Sequence, residues 1–490
     1  MNKKINLKQV VKENLLIISL LLLVLAIHIK YALMPARFLW DESIYVGLAK
    51  HLFSNGALGF WEVFRPIGLP VVLGGLWKLG LSPLIVGKIL AVIAYMIVLL
   101  LAYFMANKYK KNAGIYAFFL AASIPMLFKF SNAVLTDVIA VALGLGALYL
   151  AYKEKYFLAG VLSGLAFVFR FPYGLIIISV YFCILLDLFK DKNKYSFWQR
   201  IKINFKSMFK KGLIASIGLA IIISVYAVFN YIKYDGDVLL PLKAANIMMN
   251  QVGVFLYMQP PTFYLLVLLR ENLALIFLVI FLGMYMFDKK LRENKLVNLL
   301  LFSFFVFLIY FTQLIHKESR YILFLLPIMA ILGGIVLLRL EEYFNKRKRK
   351  RKNKKSARKI LISICICLLL LTTVSIFYGI DKRDVEEMNF YKYFNNDTDG
   401  LLLATNPTYM LFTDKPVMFL ASWSYSNEVY AKNKDKVDYI SINSCDYVCE
   451  PNTSCLNDKK RFYENVLNNL QVVYNNTYLG CEHIIYKVTK

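Results

Sequence analysis

Apolar runs near the length needed to cross a bilayer, about 20 residues for a helix, recur along this chain with short polar segments between them. The first, Leu15 to Ile29, follows Lys3, Lys4, Lys8 and Lys12, and the second runs from Leu84 to Met105 and stops at Lys108, Lys110 and Lys111. A hairpin follows, turning at Lys129, Asn132, Thr136 and Asp137 and closing at Lys153-Glu154-Lys155. The next pair rises to Phe169-Arg170-Phe171-Pro172 and falls to Lys190, and another rises to Tyr231 and falls to Asp288-Lys289-Lys290. Val297 to Phe311, a descent to Arg339, and Ile360 to Tyr378 complete eleven predicted crossings. Between the first two runs, Leu48, Leu52 and Phe53 alternate with Lys50, His51 and Ser54, the pattern of interfacial helices within residues 34–80. Arg270 and Glu271 interrupt one run; either they line a cavity or residues 255–270 lie along the membrane interface.

The last 110 or so residues break this rhythm. Leu401 to Ala404, Val437 to Ile442 and His483 to Val488 read as strands and Lys459 to Leu470 as a helix. The expected fold class is a polytopic α-helical membrane protein of about eleven transmembrane helices, residues 1–380, carrying a small C-terminal α/β domain, residues 381–490. A chain that is 59% hydrophobic with a net charge of +27 has its Lys and Arg between apolar runs, so the charge reports topology and not a nucleic-acid partner. The basic run Lys346 to Lys359 is read in the same way. No small-residue cleavage site follows the first run, which is expected to be retained with the N-terminus cytoplasmic. Eleven crossings then place the C-terminal domain outside the cell membrane. Cys445, Cys449, Cys455 and Cys481 in that domain permit two disulfides in any of three pairings, and their spacing matches no common zinc signature. The sequons at Asn396, Asn452 and Asn475 agree with an exterior placement.

Projected onto this topology, one face collects Asp41, Glu42, Arg65, Lys129, Asp137, Arg170, Lys243, His316, Lys317, Glu318 and Arg320. Basic residues on that face run against the positive-inside rule, and carboxylates at a membrane boundary need a compensating site. The bland reading of Asp41 and Glu42 is that they open a helix whose dipole favours acids in its first turn. Lys129 and Lys243 have a snorkelling explanation, Asp235 and Asp237 a turn explanation, and His51 an interfacial one. Trp40, Trp61 and Trp77 fit an aromatic belt, with Trp40 and Trp61 also able to stack on a sugar.

Cations beside a few carboxylates suit glycosyl transfer from a lipid phosphate: the phosphate leaves without protonation if positive charge receives it, and the acceptor hydroxyl needs one general base. On this reading Asp41 is the base, while Glu42, about 100° away on a helix, orients it or the acceptor. Arg170 and Arg320 are the best phosphate ligands, because the guanidinium fork matches phosphate oxygens. The competing class is a polyprenyl-lipid flippase or secondary transporter, in which internal repeats and ionisable groups near the midplane are expected. No repeat is found in this sequence.

In order along the chain, Trp40-Asp41-Glu42, Arg65-Pro66, Thr136-Asp137, Arg170-Phe171-Pro172 and His316-Lys317-Glu318-Ser319-Arg320-Tyr321 resemble the GT-C glycosyltransferases. Within them the match is nearest to the dolichyl-phosphate-mannose protein mannosyltransferase and aminoarabinose transferase group, and the His-Lys-Glu-x-Arg element is also similar to the lipid-linked mannosyltransferases. The likeness covers residues 15–340, with Leu401 to Val417 similar to the exterior domain of prokaryotic members. It implies an inverting transferase that moves a sugar, a mannose-like hexose first, from a polyprenyl or dolichyl monophosphate to a glycan or protein hydroxyl. Asp41, Glu42 and Asp137 are the implied catalytic acids, Arg65, Arg170, His316, Lys317 and Arg320 the donor-phosphate ligands, and Trp40, Tyr45 and Glu318 the substrate lining. No cofactor and no metal is implied, as several members of the family work without one. The oligosaccharyltransferase signature Trp-Trp-Asp-Tyr-Gly is absent from the tail.

Overall fold

A computed structural model gives the fold and describes residues 7–32, 38–189, 196–250, 257–271, 274–348, 356–378, 384–394, 399–420, 422–446, 449, 454–478 and 480–488. Among these, six helices are long and apolar enough to cross a bilayer: Pro83–Tyr109, Phe171–Leu188, Trp198–Lys233, Lys295–Gln313, Ser319–Lys346 and Arg358–Phe377. Shorter apolar helices, Ile17–Ala32, Ala113–Ala122, Asp137–Tyr152, Tyr156–Phe169 and Leu275–Phe287, occupy the other predicted segments. Helix starts follow local chemistry. Pro83 opens its helix where a missing N–H costs nothing, and the Asn294 side chain accepts from Val297 N at 3.1 Å to open Lys295–Gln313.

The bundle centre is the stretch following Arg320. Its apolar window is wholly buried, so it carries hydrophobic residues all round and not on one stripe. It packs against Ala113–Ala122, where a Cβ at Gly334 would meet Ala117 N at 2.7 Å and Ala113 O at 2.9 Å. Backbones this close need small residues, as is usual where helices associate without a hydrophobic drive. The first arm of the predicted hairpin is not continuous. Pro125 disfavours helix at the residue before it, and the chain breaks into Ala113–Ala122 and Pro125–Phe130.

The C-terminal part folds as a five-stranded sheet: β1 Leu401–Ala404, β2 Val417–Phe419, β3 Val437–Asn443, β4 Gln471–Tyr478 and β5 Cys481–Lys487. Their order is β2-β1-β3-β5-β4, with β1 parallel to β2 and β3, and β5 antiparallel to β3 and β4. Alternation along β1 sends Leu403 toward Trp423 and Phe462, on the helices Trp423–Asn433 and Ser454–Asn465, and sends Leu402 and Ala404 toward Phe390 and Tyr409 on the other face. Two disulfides, Cys445–Cys481 and Cys449–Cys455, select one of the three possible pairings. Asn475 lies in β4, whereas the sequons at Asn396 and Asn452, the core of the basic run after Lys348, and the side chains of Arg270 and Glu271 fall outside the described positions.

The helix Trp40–Phe53 departs from its expected interfacial character: every residue from Asp41 to Lys50 is buried. One side is covered by the helix Gly68–Lys78 through Leu69 and Leu73. The other lies under the sheet, where the turn after β1 brings Thr408 Oγ1 within 3.4 Å of Ser43 Oγ. Phe419, at the end of β2, meets Trp40 edge to face at 5.4 Å and stacks on Phe60 at 6.1 Å. Lys50, expected on a polar face, is 3% exposed. Its ammonium donates to Met410 O and Thr413 O, both at 2.8 Å, and pairs with Asp414 at 2.8 Å. Burial pushes its pKa down despite the Asp414 charge.

Lys50→Met keeps the stem but strands two carbonyls and one carboxylate at this junction. A loss of roughly 2–4 kcal/mol is expected, read as a fall of several degrees in the thermal midpoint of the full chain and faster proteolytic release of the sheet domain. An unchanged midpoint would mean that Lys50 does not hold the sheet to the helix.

Candidate active site

The site begins with how the Trp40–Phe53 helix starts. Leu39 is extended, and the Glu42 carboxylate, three residues on, accepts its N–H at 3.0 Å with one oxygen. The other oxygen accepts Val134 N at 2.8 Å, tying the helix start to the loop before Asp137. Glu42 is therefore a clamp between two backbone segments. Both carboxylate oxygens are thus taken by backbone N–H groups, one on each side of the junction. Burial pushes its carboxyl pKa up, against the two N–H donors and the charge of Lys88.

Asp41 points elsewhere, as adjacent helical residues must. Its Oδ1 accepts from Arg65 Nη2 at 2.8 Å and its Oδ2 pairs with Arg320 Nη2 at 2.5 Å. Arg65 reaches it from a loop in which Glu62 Oε2 holds the guanidinium Nε at 2.9 Å, with the Tyr45 ring 5.8 Å from the guanidinium carbon and the Phe64 ring 5.2 Å from it. Tyr45 itself is only 3% exposed and meets Thr136 Oγ1 at 3.3 Å. It forms a floor beneath Arg65. Burial alone raises the Asp41 pKa, but the Arg65 and Arg320 charges outweigh it and hold this carboxyl well below the usual carboxylate range.

The His316 to Tyr321 element supplies the opposite wall. Leu314 and Glu318 have extended backbones, so alternate side chains leave on opposite sides. His316 and Glu318 share one side, with Nε2 to Oε1 at 3.2 Å. Lys317 takes the other and is fully engaged: its ammonium donates to Gln259 O at 2.9 Å and to Leu314 O. These bonds join residues 257–259 to the element that carries Lys317. That joint continues through Lys317 N to Tyr257 O at 2.9 Å and the stacking of His316 on Tyr257 at 4.6 Å. The turn Ser319–Phe324 then brings Arg320 back over Glu318, Nε to Oε2 at 2.8 Å. Burial raises the Glu318 pKa, and the His316 hydrogen bond with the Arg320 charge overrides it and sets it at about 2.

Arg170 leaves the end of Tyr156–Phe169 in extended geometry, ahead of Pro172. It pairs with buried Asp137 at 3.1 Å, with the Tyr321 ring 5.3 Å from its guanidinium carbon. Asp137 thus anchors an arginine from the first turn of its own helix. Arg320 and Arg170 act on each other electrostatically, as do Arg320 and Asp137, so the two ion-pair systems form one unit. Trp40 remains 36% exposed beside it. Lys243 pairs instead with Asp237 at 3.0 Å and Lys129 is exposed, so neither joins the cluster.

Glu62 and Tyr321 were not singled out in the sequence as site residues. Tyr321 donates its hydroxyl to Glu318 Oε1 at 3.0 Å while its ring supports Arg170. The only signal for Glu62 was its place three residues before Arg65. Among the described residues, no group of three or more His, Cys, Asp or Glu side chains is placed to hold a metal ion. What the residues do assemble is a buried acid between two guanidinium groups, with a third beside them.

A sequence model of the Alg9-like mannosyltransferase family matches residues 70–418, more than half of the 490. No curated protein sequence matches the chain. Among solved structures, the fold is shared with ArnT from Cupriavidus metallidurans bound to undecaprenyl phosphate, at a TM-score of 0.70 and 10% identity over 97% of this chain and 98% of that one. The same enzyme in the apo state matches at 0.63 and 11% identity, over 96% and 98%. The archaeal oligosaccharyltransferase AglB from Archaeoglobus fulgidus, in complex with an inhibitory peptide and a dolichol-phosphate, matches at 0.52 and 12% identity, over 96% of this chain and 74% of that one.

If Glu42 is a clamp, Glu42→Ala leaves Leu39 N and Val134 N without their acceptor and costs roughly 2–4 kcal/mol. The expected result is a lowered thermal midpoint of the full-length protein. A midpoint equal to that of the unsubstituted chain would return Glu42 to the list of groups free for chemistry.

Proposed function

The chain belongs to the Alg9-like mannosyltransferase family and is a membrane glycosyltransferase; from that premise we propose that it moves a mannose-like hexose from a polyprenyl or dolichyl monophosphate to an acceptor hydroxyl. The reading places the reaction at the exterior face of the cell membrane, with a cytoplasmic N-terminus, residues 1–380 as the membrane domain and residues 381–490 outside. The observation that carries it is Asp41 between Arg65 and Arg320, with Arg170 beside them. ArnT bound to undecaprenyl phosphate and AglB bound to a dolichol-phosphate share the fold, which supports a lipid phosphate as the anion.

In the proposed reaction the acceptor oxygen attacks the anomeric carbon from the face opposite the phosphate. The bond from that carbon to the phosphate oxygen breaks with its electron pair on the phosphate, the acceptor proton passes to the Asp41 carboxylate, and the configuration inverts. The products are the glycosylated acceptor and the polyprenyl phosphate. Arg65, Arg170 and Arg320 stabilise charge as it develops on the departing phosphate, which needs no proton. His316 and Glu318 hold Arg320 in position, and Trp40 offers an apolar face for a sugar ring.

Asp41→Asn removes the proton acceptor and keeps the size. Transfer from a radiolabelled polyprenyl-phosphate mannose is expected to fall by about 10²–10⁴ while the protein still binds polyprenyl phosphate. Undiminished transfer would reject Asp41 as base. A panel of labelled polyprenyl-phosphate sugars, none of which loses its sugar to any acceptor, would reject the donor class.

A further inference from the structure

Every guanidinium at the site already has a carboxylate. Arg65 lies between Asp41 and Glu62, Arg320 between Asp41 and Glu318, and Arg170 on Asp137. Among the described residues, Asp41 is the acid whose two oxygens are held by two different arginines, Oδ1 by Arg65 and Oδ2 by Arg320. With the side chain 11% exposed, little of it is left for an acceptor hydroxyl. A lipid phosphate entering this cluster competes for the same N–H groups, because phosphate and carboxylate accept the same fork. Glu62 and Glu318 keep one edge of each guanidinium fixed during such an exchange, so Arg65 and Arg320 can turn from Asp41 without leaving the site.

We propose that Asp41 is latched by Arg65 and Arg320 in the resting enzyme, and that the donor's phosphate unlatches it by taking over the two guanidinium groups. This rests on the transferase reading above and adds how its base is switched on. The bound donor is a phosphodiester with one negative charge. As its bond to the sugar breaks, the phosphate gains a second charge and draws the arginines further, at the moment when Asp41 must accept a proton. Base strength and bond cleavage rise together. Without donor, the two arginines keep Asp41 a weak base, which protects the site from premature proton transfer. Burial and the two neighbouring charges act in opposite senses on this carboxyl, and the arginines prevail; removing them leaves burial alone, which favours the protonated form.

Carbodiimide, which reacts with the protonated carboxyl, reads the latch directly. The full-length protein in nanodiscs is labelled at fixed pH with and without undecaprenyl phosphate, occupancy is measured by native mass spectrometry, and Asp41 modification is quantified by peptide mapping, with Asp41→Asn as the blank. A ligand ordinarily shields a site residue. Here, bound undecaprenyl phosphate is expected to speed Asp41 labelling, by about tenfold for each unit its pKa rises. Arg320→Gln should label faster than the unsubstituted protein before lipid is added and gain less on adding it. Lipid bound with labelling unchanged or slowed would overturn the latch and leave the lipid-phosphate reading standing. Failure to bind the lipid at all would overturn both.

Discussion

A carboxylate removed from water at a membrane boundary survives only if opposite charge meets it, and Asp41 is met twice, by Arg65 at 2.8 Å and Arg320 at 2.5 Å. These two contacts join parts of the chain more than 250 residues apart, so the loop after the first helix and the element before the central helix are held as one unit. The remaining geometry serves that junction. Glu62 and Glu318 set the directions of the two guanidinium groups, Tyr45 and Tyr321 form the floor beneath Arg65 and Arg170, and Asp137 keeps Arg170 beside them. A buried ion pair contributes little net stability once desolvation is counted.

The sheet domain belongs to the same construction. Its parallel strands end against the helix that carries Asp41, with β1 delivering Thr408 to Ser43 and β2 delivering Phe419 to Trp40. The carboxyl ends of parallel strands are where α/β sheets commonly present their loops to ligands. Lys50, about two and a half turns along from Asp41, joins sheet and helix through two backbone carbonyls. The sheet and the helix that carries Asp41 are thus joined at both ends of that helix.

Much of this was legible in the residues. Apolar runs placed the helices, and the sequence grouped Asp41 with Arg65 and Arg320, which the structure brings together. Asp41 and Glu42 diverge because adjacent helical positions point about 100° apart, but which of the two would face the arginines could not be read without the chain 90 residues further on, where Val134 N takes Glu42. The side on which Lys317 leaves the chain, away from His316 and Glu318, depends on a local extended backbone that residue types alone do not announce. Lys50 looked like the wet face of an interfacial helix, since nothing local announces a domain 360 residues away that covers it. Strand β4 went unnoticed because Asn475-Asn476-Thr477 lies on an edge of the sheet and shows no clean alternation.

The central claim is that three arginines and one aspartate, brought together from four regions of the chain, form the seat of a polyprenyl phosphate. The most direct test is a cryo-electron microscopy map of the full-length protein with bound polyprenyl phosphate. The account predicts phosphate density within hydrogen-bonding distance, about 3 Å, of at least two of Arg65, Arg170 and Arg320, with Asp41 on the same cavity wall. Lipid phosphate density at another place on the bundle, with the Asp41 pairs to Arg65 and Arg320 intact, would contradict it.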